Sequence, residues 1–415
     1  MSYNEPPFSI TTLKNGIRLI HQNTGKSEIV HCGILVNAGT RHESHGKEGL
    51  AHFIEHVLFK GTSHRTSMQI LNRLEVVGGE LNAYTSKEET CIHASVQVQY
   101  LERAFDLIAD IMFNSIFPEK EIAKEKEVVL DEIRSYLDNP SEQIFEDFES
   151  KLFRNNTLGN PILGTAQSVK AFTRNDIINF IKTNYHPEKM VVSVTGDISF
   201  TKAKELADKY FVSRAKANNV AAVQKFKHNK TFAQTMERPT EQTHFVMGNV
   251  AYSFRDKRRL QLSLLNNILG GPAMNSILSL SVREKYGYTY NIESNYLSYS
   301  DTGVFNIYFA TEPKLFDKTY AVVNKELEKL RNNKFTTTKL SQHKKQLIGQ
   351  IALAQENKAG IMMALGRSLL NHNRVDTLET IFAKINDITP EDILHVANEV
   401  FDKNKFSTLQ YVSPN

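Results

Sequence analysis

The sequence predicts an α+β fold made of two copies of one unit, each of about 200 residues. Three observations predict it. The chain has 415 residues, more than one ordinary hydrophobic core organises, so two domains are the default reading. Short β-branched runs alternate with amphipathic helical patterns. The grammar also repeats: Ile388-Thr389-Pro390-Glu391-Asp392-Ile393-Leu394 echoes Phe172-Thr173-Arg174-Asn175-Asp176-Ile177-Ile178, and Phe401 follows Tyr185 at the same offset of 216 (389 minus 173).

The elements follow in order. Ile17-Arg18-Leu19-Ile20-His21 comes after an Asn15-Gly16 turn and reads as part of a hairpin. Ile29 to Val36 is a second strand-like run. A polar loop, Gly39 to Glu48, leads into Gly49 to Gly61, an apolar run closed by glycine that reads as one buried helix. Met68, Leu71, Leu74 and Val77 recur at helical spacing and stop at Gly78-Gly79. Glu80 to Val98 reads as strands, and Gln99 to Met112 as an amphipathic helix. Pro118 opens a long helix over Glu119 to Leu137 at the position proline prefers. A helix over Thr173–Asn184, a strand over Met190–Thr195 and a helix over Phe200–Phe211 complete the first copy. Residues 214–236 are rich in Lys, Asn, Ala and Gln with little periodicity, and read as a linker between domains at 1–213 and 237–415. Phe245 to Ala251 and Arg259 to Leu269 then restate the strand and the glycine-terminated helix of the first copy.

Composition narrows the class. Hydrophobic residues at 40% with 23% charged fit a globular protein, and a net charge of +4 gives no case for nucleic acid. No apolar run is long enough to span a bilayer. Met1 to Ser9 has neither a basic nor an apolar signal region, so a cytoplasmic protein is expected. Cys32 and Cys91 sit in apolar runs and read as buried free thiols of a reducing compartment.

Inside the buried helix stands His52-Phe53-Ile54-Glu55-His56. Residues four apart share a helix face, so both imidazoles can address one metal ion, with Glu55 at the edge of that face. Zinc takes His nitrogen and carboxylate oxygen, and a catalytic zinc keeps one position open for water. Chance alone yields about 0.05 such strings at this composition, so the motif is informative but not proof. The bland alternative is two helix histidines satisfied by carbonyls. A third protein ligand must come from elsewhere. Glu125 and Glu132, seven apart on the long helix, lie beside its apolar positions, where an unpaired carboxylate is costly unless it meets a cation; a solvated charge run is the alternative. The counterpart helix in the second copy reads Leu262-Ser263-Leu264-Leu265-Asn266 and holds no ligand.

A His-x-x-Glu-His half followed by a degenerate copy resembles the pitrilysin family of zinc metallopeptidases, in particular short members similar to the mitochondrial processing peptidase β subunit. The family's Asn-Ala-aromatic-Thr-Ser-x-Glu segment is matched by Asn82-Ala83-Tyr84-Thr85-Ser86-Lys87-Glu88. The resemblance implies one Zn²⁺ per chain on His52, His56 and Glu132, with Glu125 behind them and Glu55 as general base. It implies that Arg283 and Tyr290, in Arg283-Glu284-Lys285-Tyr286-Gly287-Tyr288-Thr289-Tyr290, hold the substrate backbone and stabilise the oxyanion. Asn82, Ala83 and Tyr84 are expected to form an edge strand that pairs with an extended peptide. Each half is expected to be a mainly antiparallel sheet with helices on one face. The resemblance implies that four such units close a chamber, and hence a dimer of the chain with itself or with a related chain. The activity implied is a zinc endopeptidase acting on unfolded peptides or short polypeptides. A non-catalytic subunit of a peptidase complex and a metal-binding scaffold without turnover are the alternatives.

Overall fold

A computed structural model describes residues 7–212, 223–227 and 230–414. The chain packs as two compact units, and neither is a contiguous stretch. The first draws on Met1–Arg134, Asn160–Val223 and Leu353–Thr377; the second on Ser135–Gly159, Gln224–Ala352 and Leu378–Asn415. This interleaving differs from the contiguous halves expected at 1–213 and 237–415. Much of the expected linker lies outside the described residues, and its last residues begin a strand, Ala233–Glu237.

The first unit is a six-stranded sheet built from β1 (Phe8–Thr12), β2 (Arg18–Asn23), β3 (Ile29–Val36), β4 (Glu80–Thr85), β5 (Thr90–Gln97) and β6 (Met190–Gly196). Their order is β1-β2-β6-β3-β5-β4, so β4 is an edge strand. Only the β2–β6 pair is parallel. One face carries the helices Leu50–Leu58, Leu101–Asn114 and Arg174–Asn184, packed on Val30, Cys32, Ile34, Ile92 and Val192.

The other face of that sheet is covered too. Leu369 and Leu370 of the helix Lys358–His372 pack with Ile20, Leu35, Cys91 and Val191. Gly366 lets the helix approach: a Cβ there would lie 2.5 Å from Leu35 Cδ1. Ser193 Oγ donates to Met362 O at 2.6 Å, and Arg18 donates to Leu369 O at 2.8 Å. Burial on both faces is why β6, Met-Val-Val-Ser-Val-Thr-Gly, is buried throughout and does not alternate.

The second unit has five strands: β7 (Ala233–Glu237), β8 (Thr243–Ala251), β9 (Asn291–Ser298), β10 (Gly303–Thr311) and β11 (Ser407–Val412), ordered β7-β11-β8-β10-β9. Again one pair, β7–β11, is parallel. Phe245, Met247, Phe305 and Ile307 face the helices Arg259–Gly270, Phe316–Asn332 and Pro390–Val400. Val246, Tyr308 and Tyr411 face the helix Pro140–Leu152. Each sheet therefore has helices on one face, as expected, plus one helix on the second face. The repeat read from sequence reappears as two matching helix starts. Thr173 and Thr389 each form a capping box, with Asp176 and Asp392.

Candidate metal centre

The His helix spans Leu50–Leu58 and is almost wholly buried. Its N-terminus has no side-chain cap of its own, because Gly49 sits there with φ +87°. A Cβ at Gly49 would lie 2.5 Å from Leu163 O, so both the backbone angle and the close approach call for glycine. Glu43 supplies the missing acceptor from the preceding loop. Its carboxylate accepts from Gly49 N at 3.0 Å and Ala51 N at 2.8 Å. Burial pushes the Glu43 carboxyl well up, against these two donors and the nearby Lys87.

The helix brings His52 and His56 together, with ring centroids 4.6 Å apart. The helix Glu119–Leu137 sets Glu132 opposite both. His52 Nε2 lies 3.8 Å from one Glu132 oxygen and His56 Nε2 lies 3.5 Å from the other. One donor atom from each of the three residues falls within 4.8 Å of the others. Tetrahedral zinc with N/O ligands separates its donors by about 3.4 Å, and the two His–Glu132 separations are close to that spacing. The donor chemistry fits Zn²⁺: two imidazoles and one carboxylate, the composition of a catalytic site with an open position.

The two imidazoles are shifted in opposite directions. Burial, with His56 adding to it, pushes His52 down to about 3, so its imidazole is neutral. For His56 burial pulls downward, but the Glu125 hydrogen bond and the surrounding carboxylates outweigh it and the net shift is upward. His56 Nδ1 lies 2.9 Å from Glu125 Oε1. With the proton on Nδ1, that bond leaves Nε2 free to face Glu132. Glu125 is buried, and Lys60 reaches its other oxygen at 2.7 Å. Burial alone would raise the Glu125 carboxyl; the bonds from His56 and Lys60 reverse the shift and hold it low.

Glu55 stands beside this cluster and is not part of it. Thr85 Oγ1 donates to Glu55 Oε2 at 2.5 Å. Burial raises the Glu55 carboxyl, with the Thr85 bond and His56 opposing. A cleft of about 590 Å³ opens here, lined by Glu55, His56, Phe59, Lys60, Leu71, Leu81, Asn82, Ala83 and Glu125 among others. Asn82, Ala83 and Tyr84 lie on the edge strand β4, paired with His93, Ile92 and Cys91 of β5. Within β4, Asn82 is exposed, and Tyr84 OH donates to Glu89 Oε1 at 2.8 Å.

Arg283 and Tyr290 belong to the second unit. Arg283 lies on the short π-helix Ser279–Glu284 and pairs with Glu284 at 2.9 Å. Tyr290 precedes β9 and is 91% exposed. Glu43, Lys60 and Thr85 carry no expected role in the sequence, although Thr85 stands within the Asn82–Glu88 segment. Lys60 stands four residues after His56, a helical spacing that was available as a signal. Thr85 lies two residues after Ala83, on the same side of the strand. Glu43 left no pattern.

Family models match both halves of the chain. The family model described as Insulinase (Peptidase family M16) matches residues 18–166, and that described as Peptidase M16 inactive domain matches residues 171–347. The chain is 32% identical over 403 residues to the uncharacterized zinc protease YmxG of Bacillus subtilis, covering 97% of each chain. It is 33% identical over 411 residues to an uncharacterized zinc protease of Rickettsia felis, covering 98% of each. A protease from Helicobacter pylori has the same fold, with a TM-score of 0.90 at 24% identity, covering 98% of this chain and 100% of that one. A degenerate second copy beside an intact His-x-x-Glu-His half is thus accounted for: this chain belongs to the M16, or insulinase, family of peptidases.

Proposed function

We propose that this chain is a zinc-dependent endopeptidase that hydrolyses peptide bonds in unfolded peptides or short polypeptides held in a closed chamber. One observation carries the reading: two imidazole nitrogens and the Glu132 carboxylate converge from two helices, with the Glu55 carboxylate beside them and outside the ligand set. His52, His56 and Glu132 would hold one zinc ion. When bound, that ion supplies Lewis-acid polarisation to a water molecule and to the scissile carbonyl.

The protein's own groups do the rest. Glu55 accepts a proton from the attacking water and returns it to the departing amine nitrogen. Its raised proton affinity suits a group that must both take and give at neutral pH. Glu125 holds the His56 ring in one orientation, and Lys60 balances the charge of Glu125. Asn82, Ala83 and Tyr84 offer an edge on which an extended peptide can pair through main-chain hydrogen bonds. Arg283 and Tyr290 are assigned, on their motif alone, to the substrate backbone and the oxyanion. A homodimer, or a heterodimer with a related chain, would supply the other two units of the chamber.

The test is cleavage of a fluorogenic peptide library by the purified chain beside Glu55→Gln. The reading expects the variant to retain zinc and lose at least about 100-fold in kcat. Wild type and variant that both bind zinc while neither cleaves any peptide would leave a metal-binding scaffold. A chain that cleaves only after a related chain is added would make it one subunit of a complex.

A further inference from the structure

We propose that Thr85 is a positioning residue, which aims the Glu55 carboxylate through a hydrogen bond from its hydroxyl; this rests on Glu55 being the general base of the proposed reaction. The bond is short, 2.5 Å, and comes from a different element, the end of β4. A glutamate carboxylate turns easily about its last torsion, where the energy surface is broad. One hydroxyl on Oε2 fixes the plane and leaves Oε1 for the water. Threonine suits this task better than serine, since its branched β-carbon restricts χ1 and so aims the hydroxyl.

The hydroxyl is worth aiming only if its own backbone is fixed, and the hairpin end that carries it is tied on several sides. The turn after Thr85 closes with Ser86 N donating to Glu89 O at 2.8 Å. Thr40 N and Arg41 N donate to Ser86 O and Lys87 O at 3.2 and 2.7 Å. Arg367, on the helix that covers the sheet's second face, donates to Glu89 Oε1 at 2.6 Å and to Tyr84 OH at 2.9 Å. Thr85 also belongs to the strand on which the peptide is proposed to pair. A peptide lying along β4 therefore stiffens the same backbone that directs the base.

The experiment compares Thr85→Val, Thr85→Ala and Thr85→Ser with wild type in the full-length chain, reading kcat and KM for one fluorogenic peptide and zinc bound per chain. Valine keeps the shape and removes the donor. The expected result is a fall in kcat of about 30-fold for the valine and alanine variants, with KM within about twofold and zinc content unchanged. Thr85→Ser should stay within about threefold of wild type in kcat. A bond that merely fastens helix to sheet would instead lower stability or zinc content and leave the kcat of the folded fraction intact. The assignment is overturned if Thr85→Val keeps the wild-type kcat, if Thr85→Ser falls as far as Thr85→Val, or if valine and alanine variants both fail to fold. If wild type cleaves no peptide at all, the peptidase reading itself fails, and the assignment falls with it. Active wild type with inactive Glu55→Gln and fully active Thr85→Val overturns this assignment alone.

Discussion

At the scale of single residues, the candidate site is a set of carboxylates held in different states by their neighbours. Glu132 is half-exposed and faces two neutral-capable imidazoles. Glu125 is buried against a cation and a ring N–H. Glu55 is raised by burial and met by one hydroxyl. The spacing of Glu125 and Glu132 was visible in sequence because both lie on one helix with a fixed period. Lys60 and Thr85 were in view, one at helical spacing from His56 and one in the Asn82–Glu88 segment, but their partners Glu125 and Glu55 lie on other elements, and no local period reports such a pairing. A fourth acidic group, Asp110, fastens the exit of the His helix. It accepts from Thr62 Oγ1 at 2.7 Å, Arg65 at 2.6 Å, His64 Nδ1 at 2.6 Å and Asn114 Nδ2 at 3.0 Å. Burial alone would raise its carboxyl, and these four partners outweigh burial and hold it below the ordinary aspartate range. A depressed acid stabilises the fold above its unfolded value, near 3.9, and loses that contribution as pH falls through its folded value. Urea unfolding should find Asp110→Asn about 2 kcal/mol less stable than wild type at pH 7, with the gap closing below about pH 4. A gap that is the same at pH 3 and pH 7 would refute this account of Asp110.

At the scale of elements, the His helix is the part whose placement decides everything else. It is only nine residues long, too short to be stable by itself in water. Packing of Leu50, Phe53, Ile54, Val57 and Leu58 holds it, and Glu43 caps it from outside. The apolar run and the closing Gly61 made the helix legible in sequence. The cap was not legible, since the usual Ser, Thr, Asp or Asn is absent and the acceptor stands six residues before Gly49. Glu43→Ala leaves two buried N–H groups without their acceptor at the head of the helix. It should cost about 1–3 kcal/mol and lower zinc occupancy in proportion to the unfolded fraction. Unchanged thermal unfolding in Glu43→Ala would show that the cap does not matter.

At the scale of the whole molecule, the two copies were legible and the exchange between them was not. The first copy's sheet is finished by a helix encoded at Lys358–His372, and the second copy's by one encoded at Pro140–Leu152. Local pattern says that β6 and β10 are buried on both faces, since neither alternates. It does not say which distant helix covers them. A fragment ending at residue 223 therefore lacks the cover for Ile20, Leu35, Cys91 and Val191. Such a fragment should bind a hydrophobic dye and melt without a sharp transition, and fusion of residues 353–377 should restore cooperativity. A bare fragment that unfolds as sharply as the full chain would argue against this division of the fold.

The proposed chemistry requires His52, His56 and Glu132 to share one ion. The most direct measurement of this is a zinc competition titration of wild type and Glu132→Gln, each checked for folding by circular dichroism. A shared ion gives one tight zinc per wild-type chain and affinity weakened by at least about 100-fold in the folded variant. Equal affinity in the two proteins would contradict it.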